Sequence, residues 1–147
     1  MKHAENFFSS DEKKHILQSI QAAEKNTSGE IRVHLENRFA GDILDRAAFL
    51  FEKLQMHKTE KRNGVLFYLA VQDRRFAILG DAGINAVTSD DFWDKIKDAM
   101  SVLFSEGKFT DGLCKGVEMA GEALQQYFPY RKDDVNELKD DISYGQH

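Results

Sequence analysis

The residues with the most chemistry in this chain are carboxylates and carboxamides placed where the hydrophobic pattern breaks: Glu30, Asn63, Asp81, Asn85, Asp90 and Asp91. Each stands at the start or end of a run that reads as a strand or a helix. If those boundaries share one edge of a sheet, they form a single oxygen-rich rim. Hard divalent cations such as Ca²⁺ and Mg²⁺ take ligands of this kind. The plainer reading of the same residues is structural. Asp81 and Gly83 then make a turn, while Asp90 and Asp91 are helix-cap charges.

Other chemistry finds no template. The sequence has no P-loop, no G-x-G-x-x-G, no G-x-S-x-G elbow and no H-E-x-x-H. Residues 73–85 lack the alternating acidic ligands of an EF-hand. Histidines at 3, 15, 34, 57 and 147 are too scattered for a zinc site. Cys114 is the only cysteine, so no intrachain disulfide forms, which fits a reducing compartment. In the turn Gly112-Leu113-Cys114-Lys115-Gly116 it reads as a small buried thiol rather than a nucleophile.

The rim needs particular elements to assemble it. Glu30 to Glu36 alternates Ile31, Val33 and Leu35 with Arg32, His34 and Glu36, the pattern of a half-exposed strand. His34 falls on its polar face and reads as a surface residue. Val65 to Val71 is a continuous apolar run of strand length, expected to be covered on both faces. Gln72 to Arg75 makes a turn, and Phe76 to Leu79 returns antiparallel. A helix from Asp42 to about Met56 joins the first two strands as a βαβ crossover. Strand directions then put Glu30, Asn63 and Asp81 at one edge, with Ser89, Asp90 and Asp91 opening a nearby helix. Arg74 and Arg75 fall at the opposite edge.

Helical packing surrounds this hairpin. Ser9 with Glu12 fits a capping box for a helix from about Ser10 to Lys25, with Phe8 as its staple. Ser89 is expected to cap a helix carrying Phe92, Ile96, Ala99 and Leu103, and another runs from about Asp111 to Tyr127. Pro129 closes the domain. Residues 130–147 form a polar tail, or a short helix at Val135 to Ile142. His57 to Arg62 is a basic connector, either a solvated loop or an anion-attracting rim.

The chain has 147 residues and a net charge of −5. That length suits one domain, here residues 1–129, with roughly 70% of the unfolded surface buried. The acidic balance argues against nucleic-acid binding, which needs a basic footprint. The N-terminus has no apolar run behind its charges, and no window approaches ~20 apolar residues. A monomeric cytoplasmic protein without a membrane span is expected.

Several stretches together resemble the TPM domain, a family that includes thylakoid lumen and photosystem II repair proteins and a nematode receptor-accessory protein. Asn63-Gly64 precedes the apolar strand, Asp73-Arg74 marks the turn, Gly80 to Gly83 forms the loop, and Asp90 opens the next helix. Phe104, Gly107, Phe109, Gly112 and Leu113 resemble the family's Phe-x-x-Gly-x-Phe-x-x-Gly-Leu stretch, and Ser28-Gly29-Glu30-Ile31 resembles its start. The likeness spans residues 28–127, as in a stand-alone bacterial-type member. It implies an α/β/α sandwich: a small mixed central sheet of three or four strands with helices on both faces. It also implies a Ca²⁺ or Mg²⁺ site at Asp81 and Asp90, with Asn63 in support and Glu30 and Asp91 on the same rim. Departures are the longer Gly-Asp-Ala-Gly loop, Asn85 where an acidic residue is usual, and Glu30, which has no consistent counterpart.

Two functions follow. One is a metal-dependent acid phosphatase acting on phosphomonoesters, with positive charge added by Lys58, Lys61 or Arg62. The other is a non-catalytic metal-binding interaction module that serves the assembly or maintenance of a complex with a protein partner. No residue identifies itself as a nucleophile.

Overall fold

The computed structural model describes residues 4–130 and 142–145. Helix α1 (Ala4–Phe7) is a single turn that leads into α2 (Ser10–Glu24). Ser9 caps α2 by accepting from the Glu12 amide, and the Glu12 side chain accepts from the Ser9 amide. The expected capping box is therefore present, and Phe8 is buried behind it. Strand β1 (Glu30–Glu36) follows, then α3 (Ile43–Lys53), capped by Asp42 through the Leu44 and Asp45 amides. The chain leaves α3 at Gln55, whose φ is 61°, and makes a short 3₁₀ turn at Met56–Lys58. The α-helix thus ends at Lys53, short of the expected Met56, and the 3₁₀ turn falls mainly in the expected polar connector.

Strands β2 (Gly64–Ala70) and β3 (Arg75–Gly80) form the expected antiparallel hairpin, with Val65 opposite Gly80 and Ala70 opposite Arg75. After β3 come a one-turn helix α4 (Ala82–Asn85), α5 (Phe92–Ser105), α6 (Phe109–Tyr127) and a short strand β4 (Ile142–Tyr144). The sheet order is β3-β2-β1-β4. β1 is parallel to β2 with Glu30 opposite Gly64, and parallel to β4 with Val33 opposite Ile142. Ile142–Tyr144, read from sequence as part of a polar tail, thus adds a fourth strand to the sheet. Residues 131–141, which include most of the expected short helix, lie outside the described residues.

Alternation along the strands builds two cores. Ile31, Val33, Leu35, Val65, Phe67, Leu69 and Ile78 face α2, α5 and α6. Leu66, Tyr68, Ala70 and Ala77 face Ala47, Leu50 and Phe51 of α3. The result is an α/β/α sandwich around a small mixed sheet. Helices α2 and α6 pack closely because position 121 is glycine; a Cβ there would stand 2.5 Å from the Ala23 Cβ. Among the described residues no helix is long and apolar enough to cross a membrane.

Three local expectations need correction. Strand β1 is not half-exposed: every residue but Arg32 is buried, because β1 lies between two strands and its polar side chains His34 and Glu36 are enclosed with Ser143, Arg46 and Tyr68. Ser89 does not cap α5. The cap position is Asp91, and the Ser89 hydroxyl donates to Asp91 Oδ1 at 2.8 Å. Helix α6 starts at Phe109, which leaves Asp111 in its first turn, where a carboxylate suits the helix dipole.

Candidate functional site

The paired ends of β1, β2 and β3 bring Glu30, Asn63 and Asp81 together, as strand direction requires. The Glu30 amide donates to the Asn63 carbonyl at 3.4 Å, and the Asp81 amide donates to the Gly64 carbonyl at 3.0 Å. Asn63 is almost wholly buried. Its amide donates to Thr59 Oγ1 at 3.2 Å and its Nδ2 to Ser28 Oγ at 3.2 Å. Lys61 Nζ reaches the same hydroxyl at 3.5 Å.

Asp81 is the centre of the rim and is held from two sides. Its Oδ1 accepts from the Ala82 amide at 2.7 Å, which caps α4. Arg62 then grips the whole carboxylate: Nε donates to Oδ2 at 2.6 Å and Nη2 to Oδ1 at 2.8 Å. This fork is the strong, charge-assisted geometry that suits guanidinium and carboxylate. The Arg62 side chain is 52% exposed and that of Asp81 only 6%. The backbone enforces the meeting. Arg62 has φ 53°, and its carbonyl accepts from the Gly83 amide at 2.7 Å. Only glycine fits at 83, since a Cβ would stand 2.0 Å from the Lys61 carbonyl oxygen.

The remaining rim candidates do not join Asp81. Asn85 works as a brace: Nδ2 donates to the Gly80 carbonyl at 2.9 Å, and Oδ1 accepts from Trp93 Nε1 at 2.7 Å. Asp90 and Asp91 are exposed at the start of α5. The Ser89 hydroxyl, and then Lys95 at 3.4 Å, hold the Asp91 carboxyl below its ordinary range. Lys58 is exposed on the 3₁₀ turn.

Oxygen donors at this end match the chemistry of Ca²⁺ or Mg²⁺. The charge arrangement is different from a ready-made cage. Among the described residues no three His, Cys, Asp or Glu side chains gather in a group that could hold a metal ion. A guanidinium already occupies both oxygens of the central carboxylate. Asp81 is available to a cation only in exchange for Arg62.

A second polar cluster lies inside the sandwich, and reading the sequence missed it. Glu36 is fully buried on β1. Its carboxylate accepts from Arg46 Nε at 3.0 Å, Arg46 Nη2 at 2.6 Å and the Tyr68 hydroxyl at 2.6 Å. His34 Nε2 lies 3.3 Å from Glu36 Oε2, and His34 Nδ1 lies 2.7 Å from Ser143 Oγ on β4. A neutral imidazole satisfies both contacts when Nε2–H donates to Glu36 and Ser143 donates to Nδ1. Burial alone would raise the Glu36 carboxyl, but hydrogen bonds from Arg46 and Tyr68 outweigh it and hold the group below its ordinary range. Burial lowers His34 despite the neighbouring carboxylate. Burial, then the Glu36 contact, pushes the Tyr68 phenol well up. The available signal was Tyr68 itself, because a phenol inside an apolar strand needs a buried partner. Cys114 is half-buried with its thiol pushed up by burial, in keeping with an unreactive packing residue.

Known proteins agree with this architecture. The family model described as "TPM domain" matches residues 1–123. The NMR structure of the BA42 protein from the psychrophilic bacterium Bizionia argentinensis is 51% identical, with a TM-score of 0.90, covering 99% of this chain and 100% of that one. Two further solution structures share the fold alone. The N-terminal domain of a P. gingivalis protein is 20% identical with a TM-score of 0.70, covering 86% of this chain and 83% of that one. The N-terminal domain of the cg2496 protein from Corynebacterium glutamicum is 16% identical with a TM-score of 0.66, covering 89% and 82% respectively. No curated protein matches the chain.

Proposed function

The chain belongs to the TPM domain family, and from that premise we propose that it is a divalent-cation-binding domain whose Ca²⁺ or Mg²⁺ site is Asp81, taken in exchange for Arg62. The observation that carries this reading is the asymmetry of the pair. A carboxylate buried to 6% exposure and fixed as a helix cap faces a guanidinium that is 52% exposed on a loop. The cationic partner can leave; the anionic one cannot. Asn63 supports the site through the Ser28 hydroxyl, Glu30 stands at the same sheet edge, and Asp90 and Asp91 add negative charge from α5.

An ion bound there would supply a Lewis acid for an anionic oxygen. This chain's own part is to redirect its cations. Arg62, released from Asp81, and Lys61 beside Ser28 would hold the oxygens of a phosphomonoester, the substrate class of the phosphatase reading. One observation favours the non-catalytic alternative, an interaction module for a protein partner. The Ser28 hydroxyl is contacted by Asn63 and Lys61, and among the described residues no imidazole or carboxylate hydrogen-bonds to it to act as a base.

The test is an amide NMR titration of the chain with Ca²⁺ and with Mg²⁺. Shifts are expected at Asn63, Asp81 and Ala82, and Asp81→Asn should abolish them. Removing the competing guanidinium should make Arg62→Gln bind the cation more tightly than the parent. If those amides stay still in both the parent and Arg62→Gln, the reading fails. Turnover of an aryl phosphomonoester that needs the cation would select the phosphatase, and cation binding without turnover the interaction module.

A further inference from the structure

The cation site leaves unused the Phe104–Phe109 stretch and the Asp73-Arg74 turn, both singled out in the sequence. The fold brings them together at the opposite end of the sheet. There a cavity of about 260 Å³ is lined by Phe7, Phe76, Phe104 and Phe109, by strand residues of β2, and by Arg74 and Arg75. The rings brace one another: Phe76 meets Phe104 edge-on at 5.0 Å, Phe7 meets Phe109 edge-on at 5.4 Å, and Phe104 lies 5.8 Å from Phe109. All four rings are only partly buried, so ring surface remains open to the cavity. Preformed concave sites with apolar walls and a few polar groups are the usual form of small-molecule sites.

The two arginines differ. Arg75 is committed to the neighbouring loop, donating to the Phe39 and Gly41 carbonyls at 2.8 Å each. Arg74 is exposed, held with φ 54° at the end of the hairpin, and makes no hydrogen bond or ion pair among the described residues. An uncommitted guanidinium beside an aromatic cavity selects a ligand with an apolar body and one anionic end. Size narrows it. A cavity of about 150 Å³ holds benzene, or about 25 Å³ per heavy atom. On that scale this cavity admits a body of about ten heavy atoms.

We propose that this cavity binds a small amphipathic monocarboxylate, aryl or medium-chain acyl, with its apolar body among the four phenylalanines and its carboxylate on Arg74. The site is independent of Asp81 and stands whether or not a cation binds there.

The probes are octanoate and 3-phenylpropionate, titrated into the labelled full chain, with 1-octanol as the uncharged comparison. Expected are shifts at Arg74, Phe76, Phe104 and Phe109, intermolecular NOEs to their ring protons, and still amides around Asp81. Losing a charge-assisted hydrogen bond at a solvent-facing rim should weaken octanol about tenfold against octanoate. Arg74→Gln should lower octanoate to the octanol level and leave octanol unchanged; the exposed side chain makes no hydrogen bond or ion pair among the described residues, so the variant should fold. Scattered shifts without NOEs to the rings would overturn the site. Equal binding of octanol and octanoate, or an Arg74→Gln variant that holds octanoate as before, would overturn the charged end.

Discussion

Replacing Glu36 by glutamine should be among the most damaging isosteric changes in this protein. The side chain keeps its volume, so any loss is electrostatic. In the native state the carboxylate takes two hydrogen bonds from Arg46, one from Tyr68 and one contact from His34, all without solvent. Glutamine removes the charge and turns an N–H₂ group toward a set of donors. Arg46, only 13% exposed, is left without its counter-ion. Breaking a buried pair in this way costs about 3–5 kcal/mol. The low end applies here, since Arg46 also lies over the Phe39 and Phe49 rings at 5.3 and 5.2 Å and stays near the surface. We expect about 3 kcal/mol, or a fall in Tm of about 6–12 °C for a chain of this size.

The assay is urea unfolding near about pH 7, where the contribution is complete. Glu36 has a lowered folded pKa, so its stabilisation is present above the ordinary value of 4.5 and is lost as pH falls through the lowered one. Tyr68→Phe should cost about 1.5–2 kcal/mol alone, as a hydrogen bond to a charged group. In the Glu36→Gln background it should cost about 1 kcal/mol less, because the two groups share one interaction. Adding Arg46→Met to Glu36→Gln should cost little more, since the orphaned charge goes with it. A Glu36→Gln protein within about 1 kcal/mol of the parent, or strict additivity with Tyr68→Phe, would refute the network as a stabilising unit.

Two further outcomes test the fold around the sites. Gly83→Ala should lose about 2–3 kcal/mol by overpacking against backbone, whereas Gly107→Ala should lose about 1 kcal/mol. The added Cβ meets the Lys61 and Arg62 carbonyl oxygens at 2.0 and 2.6 Å in the first case and no atom within 4 Å at φ 78° in the second, so chemical denaturation of the pair separates clash from strain. His34, lowered by burial, binds a proton less readily folded than unfolded. Its contribution is therefore complete above its ordinary value of 6.5 and lost as pH falls through the lowered one. Thermal unfolding against pH should show a decline beginning near that value, and His34→Gln should flatten it; parallel curves would contradict the linkage.

Periodicity carried most of the architecture. The capping box at Ser9, the cap at Asp42, the hairpin and the parallel crossover each follow from local rules, and strand direction alone separated Asp81 from Arg74. What stayed hidden depends on neighbours. Arg32, His34 and Glu36 alternate with apolar residues, which reads equally as a solvated face or as a buried polar layer. The presence of β4, 109 residues on from His34 at Ser143, and of Arg46 on the following helix decides between them, and strand alternation reports neither. Ile142–Tyr144 carries too few residues to announce a strand by pattern. Most consequential was Arg62. Its charge was legible, but its left-handed backbone and its grip on Asp81 were not, so an acidic rim was expected where a neutralised pair stands.

Arg62 and Arg74 show why charge read from sequence underdetermines chemistry. They flank the same strand, β2, with almost the same left-handed backbone, φ 53° and 54°. Their fates diverge through register. Pairing of Val65 with Gly80 sets the next residue, Asp81, beside Gly64 and within reach of Arg62. At the other end Ala70 pairs with Arg75, and the nearby Asp73 spends its carboxylate on the Phe39 amide at 2.8 Å. Arg74 is thus left without an ion pair among the described residues, beside the phenylalanines. A one-residue slip of β3 would exchange its faces and undo both arrangements at once. The hairpin register that buries the core is therefore the same quantity that commits one arginine to a carboxylate and leaves the other exposed at the rim of an aromatic cavity.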